Sequence, residues 1–428
     1  MARPGKRMSQ VTPQARPARV SVPREVLSWR NAVFVVFAAC GVSAASMAAR
    51  IPTISLALGL NTAQVGLLLF GIAVGSIAGL LAAGHVVSHF GSKRTIVVVY
   101  TLASAGLVLA AFGIAVAHSF ALSFIGLIVF GLAIATCDVA MNLSGAANER
   151  ALGRSIMPVY HAFFSIGTII GAALGTLAEA LHVPLQWHIT VLEIVLVAAV
   201  LIASPFLLPE AADRAKADGT EHPASTWRSR LAIWKEPATI LIGLIVLGAA
   251  FTEGSANDWL SYAMVHGHGT TRATGALVYS IFVTAMTIGR LSGVRFLDRW
   301  GRVPVLRSAA ILAGVGLILF IFVPVYWVEI VGVILWGLGA SLGFPVGMSA
   351  AADDPQRAAA RVSAVATIGY CAFLVGPPVL GFLGNQFGIL HGLLLVLVLA
   401  ALGGVVSFAA RSKSVPTDTT GEATAPAR

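Results

Sequence analysis

The chain has 428 residues, 57% of them hydrophobic and 11% charged, with a mean hydropathy of +0.87. Ordinary soluble domains carry roughly 25% charged residues, so this composition excludes a soluble enzyme and identifies a polytopic membrane protein. A net charge of +10 would suit nucleic-acid binding, but the basic residues lie between apolar runs on one side of the expected topology, which excludes that reading.

Residues 1–28, rich in Arg and Pro and without apolar periodicity, are expected to form a disordered cytoplasmic tail. A basic stretch ahead of an apolar run also describes a signal peptide. The run 31–51 is too long for that, and no clean small-residue cleavage site follows, so it reads as the first span. A bilayer core takes about 20 apolar residues per helix. Twelve stretches meet that length, at about 31–51, 62–84, 94–116, 119–143, 156–178, 188–208, 238–260, 273–294, 304–323, 327–350, 361–383 and 388–410. Their connections are short except for the polar segment 209–237, which divides the spans six and six. The expected organisation is an N-terminal bundle over 29–208, a cytoplasmic linker over 209–237, a C-terminal bundle over 238–410 and a disordered cytoplasmic tail over 411–428. Within the linker, "STWRSRLAIWKEP" suits an amphipathic helix on the inner leaflet and a solvated connection equally well.

With the N-terminus in the cytoplasm, the tails and the even-to-odd loops hold all of the 28 Lys and Arg except Arg50, Arg272 and Arg290. That bias orients both termini inward and accounts for the net charge. The halves also repeat. At an offset of 210 residues, "GHVVSHFGSKR" after span two meets "VRFLDRWGR" after span eight, so that Ser88 aligns with Asp298 and Gly91 with Gly301. Phe163 with Phe373 and Gly171 with Gly381 share the offset. Two matched halves imply a transporter with a central site between them. Cys40, Cys137 and Cys371 lie in apolar runs at spacings that fit no metal site or disulfide framework, and read as small packing residues.

"DRWGR" resembles the signature loop of the major facilitator superfamily, and with the six-plus-six layout the resemblance covers about 30–410. It implies the all-α major facilitator fold, with twelve transmembrane helices in two pseudo-symmetric bundles and spans one, four, seven and ten lining the cavity. It also implies that Asp298, Arg299, Gly301 and Arg302 brace helix ends during alternating access. The first copy departs from the pattern, with Ser88 for the acid and His89 for the arginine, which leaves any bracing there to Lys93 or Arg94. Span four, "GLAIATCDVAMN", is similar to that of fucose-permease-like proton symporters, with Asp138 in the place of the acid and Asn142 in that of the asparagine. Span five, "HAFFSIGT", keeps Phe163, Ser165, Gly167 and Thr168 of that group's pattern but has His161 for a glutamine and Phe164 for an asparagine. Glu253 and Trp259 stand where the group's span seven carries an acid and an aromatic. "RIP", "NDW" and "GFPVG" resemble bacterial inner-membrane permeases of the YbjJ type. Drug–proton antiporters have a Gly-Pro motif in span five; "GTIIGAALG" has none, which lowers the efflux reading.

An ionised carboxylate in hydrocarbon costs several kcal/mol, so the acids within the spans need a use. Asp138 and Asn142, four residues apart, share a helix face. A carboxyl in a partly dry cavity can hold and release a proton, which makes Asp138 the first proton-coupling candidate and Glu253 its rival; an interhelical hydrogen bond or a cap that never changes protonation is the alternative. Asn142, His161, Phe164, Asn257 and Trp259 are the candidate substrate contacts. Arg50 and Asp258 occupy equivalent ends of spans one and seven, at an offset of 208; they read either as an outer-gate ion pair or as two interfacial residues. Arg290 is expected to neutralise a cytoplasmic-side acid, and Glu193 and Glu329, near outer ends, to lie at the interface. Gly167, Gly171 and Gly175 form a helix-packing stripe, and "GPPVLGFLG" marks a kink in span eleven.

The sequence thus reads as a secondary transporter that moves a small polar solute, sugar-like or another small metabolite, across a bacterial inner membrane by proton symport. Proton-linked efflux is the alternative within transport, and a non-transporting sensor or scaffold the alternative outside it. No Ser/His/Asp or metal constellation points to an enzyme, and the absence of a GxxxxGK[ST] motif argues against ATP drive. The expected partners are the solute, protons and the lipid bilayer, with no cofactor, metal or nucleic acid, and the functional unit is expected to be a monomer.

Overall fold

The computed structural model describes residues 22–153, 156–208, 233–354 and 357–411. Every helix and strand assignment among them is helical. The N-terminal half consists of α1 (Arg24–Ala48), α2 (Ile51–Leu58), α3 (Thr62–Ala115), α4 (Phe120–Leu152), α5 (Met157–Ala180) and α6 (Leu185–Ala203). The C-terminal half consists of α7 (Pro237–His266), α8 (Arg272–Trp300), α9 (Arg302–Phe322), α10 (Tyr326–Ala340), α11 (Gly343–Ala351), α12 (Ala358–Phe387), α13 (Ile389–Gly392) and α14 (Leu394–Val405). The first helix starts at Arg24, inside the stretch expected to be a tail. Most of both expected tails, and of the linker with its amphipathic stretch, lies outside the described residues.

Among the described residues, eleven helical stretches are long and apolar enough to cross a membrane. One of them, α3, has 54 residues, far more than the roughly 20 that one crossing takes. It is broken at Gly91, whose φ of 74° and ψ of 157° are non-helical. Its two arms are spans two and three, and the crossings among the described residues are therefore twelve. The equivalent glycine, Gly301, has φ 75° and ψ 174° between α8 and α9. That region of backbone space belongs essentially to glycine, so the 210-residue repeat marks a shared backbone device as well as a shared motif. An even number of crossings puts both ends of the described chain on one side. Large apolar side chains such as Leu81, Ile202 and Trp327 are exposed, as a lipid-facing surface requires.

Within each half, small residues allow helices to touch backbone to backbone. A Cβ on Gly167 would lie 2.2 Å from the Ala38 carbonyl oxygen, and one on Gly171 2.3 Å from that of Val42, so the expected packing stripe of α5 seats α1. Near the termini side, Asn148 of α4 donates to the Val26 carbonyl at 3.0 Å and accepts from Tyr160 at 2.6 Å, tying α1, α4 and α5 together. The halves meet through α5 against α8 and α12 against α3, the same pair of spans exchanged by the repeat.

Two of the acids expected at the interface are instead buried. Glu193 accepts from Ser104 Oγ at 2.6 Å, and Glu329 meets His268 Nδ1 at 3.0 Å. A hydrogen-bonding partner inside the bundle offsets the desolvation that would otherwise drive each to the headgroups. Cys40 and Cys137 are buried and Cys371 is exposed, so the packing role applies to the first two.

Candidate functional site

Between the halves lies a cavity of two adjoining compartments, about 380 Å³ and about 240 Å³. They share Ala44, Leu69, Ile72, Phe130, Phe164 and Asp258. Asp138 of α4 lines the larger one from the N-terminal half; Tyr370 and Phe373 of α12 line it from the other. Thr168, Glu253, Asn257, Tyr279 and Arg290 line the smaller one. The walls therefore come from spans one, two, four, five, seven, eight and eleven. Span ten, expected at the cavity, packs behind span seven, where Trp336 Nε1 donates to the Thr252 carbonyl at 3.0 Å.

Asp138 and Asn142 share one face of α4, as their spacing requires. The Asn142 amide donates to the Asp138 backbone carbonyl at 2.8 Å and to its carboxylate at 3.2 Å. Only Asp138 reaches the cavity wall; Asn142 orients it from one turn away.

Glu253 is paired across to the next span. Arg290 Nη2 donates to both of its carboxylate oxygens, at 2.8 and 2.7 Å, so the expected neutralising partner of Arg290 is the rival coupling candidate itself. Arg290 is held by a helix break. Span ten is interrupted between α10 and α11, and Pro345, in the first turn of α11, cannot donate to the carbonyl four residues back. That carbonyl, of Ser341, takes Arg290 Nε at 3.4 Å instead.

One turn beyond Glu253, Asn257 Oδ1 accepts from Tyr279 Oη at 3.2 Å and faces the smaller compartment with it. Asp258 borders both compartments. Trp259, expected at the substrate, is fully buried and crosses Tyr262 edge-on at 5.5 Å. Successive helical residues are turned by about 100°, so Asp258 at the cavity sends Trp259 into the core. His161 is exposed, edge-on to Phe37 at 5.3 Å, a turn of α5 nearer the termini side than Phe164. Of the expected contacts, Phe164 and Asn257 line the cavity.

The cavity is shut at the end away from the termini. Gly66 of α3 and Gly381 of α12 pass so closely that a Cβ on Gly66 would lie 2.4 Å from the Pro377 carbonyl oxygen. Thr62 Oγ1 meets Tyr262 Oη at 3.0 Å, and Thr176 Oγ1 meets Ser280 Oγ at 3.1 Å. Pro52 leaves the Ala48 carbonyl without its intrahelical donor, and Ser261 Oγ of the other half donates to it at 3.1 Å.

The expected pairing of Arg50 with Asp258 is replaced by another. Arg50 Nε lies 2.9 Å from Glu179 of α5, and Arg272 Nε of the other half lies 3.5 Å from the second Glu179 oxygen. Thr53 also donates to Glu179. Equivalence under the repeat placed Arg50 and Asp258 at matching ends, but matching ends need not touch. The helix stripe that seats α5 on α1 instead brings Glu179 to Arg50. Nothing in the sequence singled out Glu179, whose signal was only an acid at the end of an apolar span. Arg272, one of the three basic residues off the inward side, was the better clue.

On the termini side, bonds such as Arg302 Nη1 to Asp353 at 2.5 Å and Arg302 Nη2 to Ser349 Oγ at 3.0 Å join helices of one half. Of the signature residues Arg302 thus clamps α9 to the end of α11, while Asp298 and Arg299 are exposed and Gly301 supplies the turn. In the first copy Ser88 donates to the His85 carbonyl within its own helix, at 2.9 Å, and Lys93 Nζ reaches the Pro205 carbonyl at 3.3 Å, which gives Lys93 the bracing contact there.

The Major Facilitator Superfamily model matches residues 32–265 and 250–427. An uncharacterized MFS-type transporter of Yersinia pestis is 30% identical over 360 residues, covering 84% of this chain and 88% of that protein. Among solved structures, a mutant of the nucleoside transporter NupG is similar with a TM-score of 0.71 and 16% identity over 90% of this chain and 98% of that one. A FucP variant, the Escherichia coli fucose:proton symporter, is similar with a TM-score of 0.61 and 16% identity over 91% and 100%.

Proposed function

Because the chain belongs to the major facilitator superfamily, a family of membrane transporters, we propose that it carries a small polar solute across the bacterial inner membrane by proton symport, with alternating access to the central cavity. The observation that supports this reading best is the cavity itself, lined from both halves, carrying acids on spans four and seven, and shut at one end. With both termini in the cytoplasm, as the basic residues indicate, the conformation is inward-facing.

In this reading Asp138 carries the proton. It stands at the cavity wall with Asn142 holding its carboxylate, whereas Glu253 is occupied by Arg290. Similarity to a fucose:proton symporter supports proton coupling and a sugar-like solute; similarity to a nucleoside transporter supports a ring-bearing one. Phe164 and Asn257 contact the solute, and Asp258 faces it. The Arg50–Glu179–Arg272 cluster holds the outer gate closed. Opening the other side requires that cluster to part and the termini side to close, as a two-state exchange that each ligand biases.

Reconstituted protein should accumulate its solute when an inward proton gradient is imposed, and Asp138→Asn should abolish that accumulation while leaving solute counterflow between equilibrated vesicles. Asn keeps the shape and the hydrogen bonds but cannot titrate. Accumulation by Asp138→Asn at the normal rate would remove Asp138 from coupling; accumulation indifferent to a collapsed gradient would remove proton coupling altogether.

A further inference from the structure

Asp258 is the acid that borders both compartments. Among the described residues its carboxylate has no hydrogen-bond or ion-pair partner. Asp138 faces the larger compartment from the opposite half, and the residues lining that compartment include no Lys, Arg or His. In the smaller compartment the guanidinium of Arg290 is already committed to Glu253. The cavity therefore holds two carboxylates, one from each half, without a counter-cation of the protein's own. An ionised carboxylate at a mostly apolar wall is costly to desolvate, and closing the cavity around two of them makes both costlier.

Aromatic rings stand beside these charges. Phe164 borders both compartments, and Tyr370 and Phe373 line the larger one. The placement of Phe373 depends on Gly254, where a Cβ would lie 3.1 Å from two of its ring carbons. Gly254 precedes Asp258 by four residues, on the same face of α7. One face of α7 thus seats a ring of α12 and, a turn later, presents a carboxylate. Aromatic faces attract cations through the ring quadrupole, and a carboxylate supplies the opposite charge.

We propose that this cavity takes a solute bearing an ammonium group, with Asp258 as its anchor and the rings of Phe164, Tyr370 and Phe373 as its walls. The proposal rests on reading the cavity as the transport site. A proton on Asp138 and an ammonium on Asp258 neutralise both halves of the site together, so the fully loaded cavity closes without an uncompensated charge. A neutral solute leaves Asp258 unpaired in the closed state.

The test uses the purified full chain in lipid nanodiscs and matched probes that differ by exchange of a hydroxyl for an amine: glucose against glucosamine, and phenylethanol against phenethylamine, with choline as a quaternary cation. Thermal unfolding and calorimetric titration read the binding. At least one cation should raise the unfolding midpoint while its neutral counterpart does not. Asp258→Asn should weaken that binding about tenfold or more, and Asp258→Glu, which keeps the charge, should retain the preference for the amine. The proposal is overturned if neutral members bind as tightly as their amines, if no cation in the panel binds, or if monodisperse Asp258→Asn keeps the preference. Proton-driven uptake of a neutral member in vesicles, abolished by Asp138→Asn, would leave the transport reading standing while the ammonium proposal fails.

Discussion

Arg290 shows how a single side chain can answer two local deficits. It supplies the counter-charge that Glu253 lacks in the spans and the donor that Pro345 withholds from Ser341. Both groups are partly exposed, with side-chain accessibilities of 29% and 18% for Arg290 and Glu253, so solvent screening reduces what the pair contributes. Removing either partner alone still leaves a charge at a mostly apolar wall. Glu253→Ala and Arg290→Ala are each expected to cost about 1–3 kcal/mol, and the double variant less than the sum, because residues in contact couple by roughly 0.5–3 kcal/mol. Denaturant unfolding in mixed micelles measures the cycle. Strict additivity would mean that the two do not interact in the folded protein.

At the scale of the element, the start of α7 depends on charge. Glu236 occupies the N-cap, and Arg361 Nη2 donates to it at 2.8 Å, with Thr239 and Arg357 also donating. These hydrogen bonds, Arg361's foremost, hold its carboxyl below the usual range, and a negative group at a helix N-terminus is favourable in its own right. The folded-state value is depressed, so the stabilisation is fully present above the unfolded value of about 4.3 and is lost as pH falls through the folded one. The difference in melting temperature between the native chain and Glu236→Gln should be constant from about pH 8 to pH 5 and should shrink below about pH 4. A difference that grows on acidification would contradict this arrangement. The same segment clamps α7, which carries Asp258, to the start of α12, which carries Phe373.

On the scale of the whole molecule, the closed end joins the two halves by backbone contact at Gly66 and Gly381 and by charge at Glu179. The glycines set how near the halves come; the ions set how strongly that approach is favoured. Glu179 is buried while Arg272 is partly exposed, so its loss leaves Arg50 buried without its anion. Glu179→Gln is expected to shift the equilibrium about tenfold or more toward the conformation open at that end, since about 1.4 kcal/mol is a factor of ten. Spin labels at Val116 and Gln386, one on each half at that end, should move apart by pulsed electron resonance. An unchanged distance distribution would show that the glycine and hydroxyl contacts hold the end shut without the ions.

Much of this architecture was legible in the sequence, because it follows from local and periodic demands. A bilayer obliges each crossing to be an apolar helix, so run length yielded the twelve spans, and the 210-residue echo located the paired glycine turns. The four-residue spacing of Asp138 and Asn142 placed them on one face before any neighbour was known. What the sequence could not specify was which charge meets which. Symmetry proposed Arg50 with Asp258, yet Arg50 paired with Glu179, and Glu253 proved to be the partner of Arg290. Trp259 looked like a ligand contact and turned into the core, since the face a helix presents is set by its neighbours. Ion pairs between distant spans depend on crossing distances of an ångström or two, which arise from how glycine stripes seat one helix on another. Only the tertiary structure decides those distances, and with them which carboxylates are left to face the cavity.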